Sequence, residues 1–150
     1  MLTDLTLASV HHLLFFAIIA MLATESVLLR GRIDAATIQR LAGVDLGYGL
    51  SAMALIGVGI ARLAYGVKGS DFYLHNPWFH AKMGTFLLVF AFSIKPTMMF
   101  LRWRKTLRTD PAFEPDPALV RQLARLVRIE LALIAPILVF AAMMARYGGF

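Results

Sequence analysis

Four stretches of this chain are apolar over the length that a helix needs to cross a bilayer, and no other feature constrains its fold as much. They cover roughly residues 5–29, 44–65, 78–101 and 126–146. One helical crossing of the hydrocarbon core takes about 20 residues. Membrane strands are the wrong reading, because a run such as "LLFFAIIAMLA" shows none of the alternation that a barrel strand needs. The chain has 150 residues, 59% of them hydrophobic and only 16% charged, where soluble domains carry about 25% charged residues. Its mean hydropathy is +0.72. Lipid is therefore the expected solvent, and the expected class is all-α: one integral-membrane domain of four spans over residues 1–150.

Charge placement orients the spans. Arg30, Arg32 and Arg40 separate the first two, and Arg102, Arg104, Lys105, Arg108, Arg121, Arg125 and Arg128 surround the last connection. The remaining loop, "GVKGSDFYLHNP", holds one lysine and one aspartate. By the positive-inside rule both basic loops are cytoplasmic, which sends the N and C termini to the periplasmic side of a bacterial inner membrane. Short connections predict an up-down-up-down four-helix bundle. The net charge of +6 is carried by these loops rather than by a soluble face, so the expected partners are the bilayer and its anionic lipids, and nucleic acid is not expected. The opening "MLTDLTLASVHH" has no Lys or Arg and leads into a run longer than a signal-peptide core, so the first span is expected to be retained. Asp116 before Pro117 predicts the start of the last helix, with aspartate as cap and proline in the first helical position.

Ionisable residues inside a bilayer cost energy and usually face protein or water. They fall into two groups. His11, His12, Arg62, His80 and Lys82 lie toward the outer side, with no carboxylate at matching depth. Glu25, Asp45, Lys95 and Glu130 lie toward the cytoplasm, one from each span, and are expected to form a buried charge network. A helix turns by about 100° per residue. His11 and Glu25, fourteen apart, thus share a face that His12 does not. The same count puts His80, Gly84, Leu87, Ala91 and Lys95 on one stripe and turns Lys82 well away from His80. Imidazoles facing each other across a bundle can ligate haem iron, which makes His11 and His80 the candidate metal ligands, with His12 as an alternative. Lys82 and Arg62 would meet the carboxylates of a haem b. With no cysteine, disulfides and thiolate metal sites are excluded, and a haem would be non-covalent. No G-x-S-x-G, phosphate-binding glycine loop or H-E-x-x-H is present.

"VHHLLFF" and "NPWFHAKMGTFLLVFAF" resemble a bacterial family of small predicted membrane proteins of unknown function. More distantly, both segments are similar to HemJ-type protoporphyrinogen oxidases, helical membrane proteins that bind haem and remove hydrogen from the porphyrinogen precursor. That resemblance implies a ligand role for His11 or His12 and a candidate catalytic role for Lys82 within "WFHAK". The chain departs from the pattern where "FFAIIAMLATESVLLR" continues the first span. Two functions are carried forward. One is binding of a haem b or porphyrin near the outer face, with a possible oxidoreductase activity linked to porphyrinogen or quinone. The other is a cofactor-free accessory subunit, in a homo-oligomer or a larger membrane complex.

Overall fold

A computed structural model describes residues 2–65 and 70–146. Residues 66–69, with the loop lysine Lys68, lie outside the described residues. Five helices follow in order: α1 (Leu2–Leu28), α2 (Ala35–Tyr65), the short α3 (Ser70–Leu74), α4 (Pro77–Leu107) and α5 (Pro117–Arg146). All but α3 are long and apolar enough to cross a membrane.

The helices start where the sequence supplies caps. Asp34 Oδ1 accepts hydrogen bonds from the Thr37 amide at 2.9 Å and the Thr37 hydroxyl at 2.8 Å, opening α2. Asn76 Oδ1 accepts from the Trp78 amide at 2.9 Å, with Pro77 in the first turn of α4. Asp116 Oδ1 accepts from the Ala118 amide at 3.1 Å and opens α5 as expected. Each carboxylate or amide oxygen satisfies an N–H group that the first helical turn leaves unpaired. Proline fits just after the cap because its missing N–H has no helical partner there.

Cross-helix pairs fix the topology. Gly47 of α2 faces Met21 of α1, Asp45 contacts Glu25, and Tyr48 reaches Glu130 of α5. Asp45 also contacts Thr97 of α4, and Trp78 stacks on Phe140. Numbers rise on one helix as they fall on its neighbour, so adjacent helices are antiparallel. The tightest pairs are α1 with α2 and α4 with α5, and the ring closes through weaker α1–α5 and α2–α4 seams.

At 31 residues, α4 measures about 46 Å at the rise of an α-helix, well beyond a hydrocarbon core of about 30 Å. The excess lies at the basic end. There Phe100, Trp103, Leu107, Leu123, Val127 and Ile38 are buried together, while Arg102, Lys105, Arg121 and Arg125 remain exposed around them. A packed apolar core thus continues past the lipid, and the basic side chains ring it.

Candidate functional site

At the end opposite the basic ring, residues of all five helices line a cavity of about 120 Å³, α5 through Met144. His11 from α1, Arg62 from α2 and Lys82 from α4 all line it. The rest of the lining is apolar or aromatic, including Phe15, Tyr73, Phe79 and Phe86, and no acidic residue is among it. His11 is 9% exposed, and Arg62 and Lys82 are half-buried. The three lie within electrostatic reach of one another. His11 Nδ1 and Arg62 Nε are buried without a hydrogen-bond partner among the described residues. Buried polar atoms are normally paired, and an orphan asks for an explanation. An unpaired imidazole nitrogen and two basic side chains with no acid in the lining complement an anionic guest with a large apolar body.

His12 and His80 do not join this cavity. His12 is exposed on α1, its ring 6.3 Å from that of His11. His80 is exposed, and its Nε2 donates to the Leu74 carbonyl at 2.8 Å, tying the end of α3 to the start of α4. The expected His11–His80 ligand pair is therefore not assembled. The physical reason is the rotation of α4, which turns Lys82 inward and leaves His80 to cap the preceding backbone. Among the described residues no group of three or more His, Cys, Asp or Glu side chains is arranged to hold a metal. His75 is exposed and donates from Nδ1 to the Asp71 carbonyl at 2.9 Å.

Nearer the basic end, three acids from three helices converge. Glu25, Asp45 and Glu130 are 1%, 5% and 1% exposed. Glu25 and Asp45 face each other, Thr97 lies against Asp45, and the Tyr48 hydroxyl donates to Glu130 Oε1 at 3.2 Å. Lys95, expected to complete this network, is exposed on the far side of α4. The stripe on which the sequence placed it, His80, Gly84, Leu87, Ala91 and Lys95, is the exposed face of that helix. The buried face runs through Val89, Ser93, Pro96, Phe100 and Trp103. Both faces are apolar, so lipid and protein interior select similar side chains and hydrophobicity alone does not tell them apart.

Tyr48, Ser93 and Thr97 are the polar residues that reading the sequence passed over. Their spacing carried a signal: Asp45 and Tyr48 are three apart and Ser93 and Thr97 four apart, which places each pair on one helical face.

Antiparallel apolar helices with internal charge and caps at the membrane edges define a multi-pass membrane protein in a lipid bilayer. The chain belongs to the family described as predicted membrane protein DUF2214, whose model matches residues 3–149. No curated protein matches the chain, and no solved structure does.

Proposed function

We propose that this protein binds a haem b or porphyrin in the His11–Arg62–Lys82 cavity, on the periplasmic side of a bacterial inner membrane. The observation that carries the reading is the set of uncompensated groups on one cavity wall: His11 Nδ1 and Arg62 Nε lack partners, and Lys82 meets no acid in the lining. The donor set fits such a guest. His11 offers one imidazole nitrogen to a metal or a ring face, and Arg62 and Lys82 match two carboxylates. His11 would be the histidine available to a bound haem, since His12 and His80 lie off the cavity. The cavity volume of about 120 Å³ is below the roughly 300 Å³ of a pocket that engulfs a whole organic ligand, so a macrocycle would be held by its carboxylate-bearing edge, with the rest of the ring outside. A bound haem would supply one-electron redox chemistry. In the enzymatic form of the reading, the protein would remove hydrogen from a porphyrinogen and pass the electrons to haem or a quinone, with Lys82 as the candidate catalytic group.

The test is the absorption spectrum of protein purified in mild detergent, oxidised and then reduced with dithionite. A Soret band in wild type that disappears in His11→Ala supports the proposal. A colourless preparation from haem-replete cells, unchanged by added haemin, refutes it and leaves a cofactor-free accessory subunit. Complementation of a strain lacking protoporphyrinogen oxidase tests the enzymatic form, and failure at good expression removes it.

A further inference from the structure

A second and larger cavity, about 410 Å³, lies between α2 and α4, within the size range of pockets that take whole organic molecules. Its rim is formed by Leu46, Leu50, Met53, Phe90, Ile94 and Met98, whose side chains are exposed on the surface that faces lipid. Its buried lining is mostly apolar, with Ile18, Leu55, Val89 and Ile134, and its floor carries four polar residues, Asp45, Tyr48, Ser93 and Thr97. Glu25 and Glu130 stand behind that floor through their contacts with Asp45 and Tyr48.

The electrostatics of this floor are one-sided. The one ion pair among the described residues, Arg32 with Glu114, is at the basic end, and Lys95 is turned outward. Glu25 Oε1 is buried and lacks a hydrogen-bond partner among the described residues. Asp45 is the one acidic residue in the cavity lining, and no Lys, Arg or His accompanies it there. Phe15, Phe86 and Phe90 add aromatic walls, which attract cations through their ring faces. An inorganic ion would need a close set of oxygen ligands, and the acids are not grouped to hold a metal. A charge spread inside an apolar shell suits this cavity better, because it can leave lipid with little loss of hydration.

We propose that the α2–α4 groove is a binding site for a lipophilic organic cation, an amine or onium ion entering sideways from the bilayer, with Asp45 as its counter-charge. The site adjoins the His11 cavity, sharing Phe15, Leu55, Ile56 and Phe86 with it, and is opposite to it in charge. Its titratable lining is Asp45 and Tyr48 from α2, backed by Glu25 from α1 and Glu130 from α5, while α4 contributes only the hydroxyls of Ser93 and Thr97. Protons compete with the guest for these carboxylates.

The experiment is equilibrium binding of tetraphenylphosphonium to the purified full chain, with tetraphenylborate as an anion of the same shape. Saturable binding of the phosphonium alone, weakening as the pH is lowered, is expected. Asp45→Asn should weaken it by about tenfold or more, as loss of one partner of a buried charge pair does. Gly49→Phe guards against misfolding as the explanation. Gly49 lines the cavity, and a Cβ added there meets nothing within 4 Å, so a larger side chain starts from open space at the groove. Loss of binding in Gly49→Phe, at unchanged helicity and elution volume, supports the site. Equal uptake of both ions, or phosphonium binding untouched by either substitution, overturns it. Neither result depends on whether the protein binds haem.

Discussion

His80 and Lys82, two residues apart on α4, serve different ends of the structure: His80 Nε2 donates to the Leu74 carbonyl at 2.8 Å, while Lys82 lines the cavity shared with His11 and Arg62. The first residue fastens a turn and the second supplies charge. His80→Ala should therefore leave haemin binding within about twofold of wild type, because rim contacts outside a binding pocket contribute little. Lys82→Gln should weaken it by about tenfold or more, as removal of a charge-assisted contact does. Haemin titration followed by absorbance reads both.

Gly59 offers a substitution that separates stability from binding. It lines the His11 cavity, and an added Cβ meets nothing within 4 Å. Replacing a mid-helix glycine removes a penalty of roughly 0.5–1 kcal/mol, taking alanine as the reference. Gly59→Phe should keep or raise the melting temperature in detergent while abolishing ligand binding, because the ring occupies the guest's space. A variant that binds normally would show that the guest lies elsewhere.

The apolar core beyond the lipid makes its own contribution. Phe100 is fully buried, with its ring 5.7 Å from that of Trp103. Phe100→Ala should destabilise the protein by about 3–5 kcal/mol, the usual cost of emptying an aromatic core site. Phe16 is 71% exposed, and Phe16→Ala should have little effect, since lipid tails solvate either side chain. Thermal denaturation of the two variants side by side tests the difference.

The α2 cap predicts a pH dependence. Hydrogen bonds from the Thr37 amide and hydroxyl hold the Asp34 carboxyl below its ordinary value of 3.8. A carboxyl depressed in the folded state contributes stability above its unfolded pKa and loses that contribution as the pH falls through the folded pKa. The cap should thus be fully effective near neutrality and weaken only in acid below the usual carboxylate range. Asp34→Asn keeps a capping oxygen without the charge, so the difference in melting temperature between wild type and variant should shrink as the pH is lowered through that window.

Much of this was legible in the sequence, and the rest was hidden for a specific reason. Span positions followed from apolar length, and the start of α5 followed from Asp116 and Pro117. The choice of His11 over His12 followed from helical rotation, and so did the separation of Lys82 from His80. The extents of α2, α4 and α5 beyond the lipid were less visible, because Trp103, Leu107 and Leu123 sit among arginines that mask an apolar stripe. Lys95 was misplaced because nothing in a uniformly apolar helix marks which face meets protein. Only Ser93 and Thr97, small and polar, pointed to the buried side.

The most direct test is a titration of detergent-purified protein with haemin and with its dimethyl ester, which has the same ring and iron but no carboxylates. Wild type should bind haemin well and the ester weakly, and Arg62→Gln should lower haemin affinity toward that of the ester while changing the ester little. Equal affinity of wild type for both compounds, or an Arg62→Gln variant that still distinguishes them fully, would contradict recognition of an anionic guest by the His11–Arg62–Lys82 cavity.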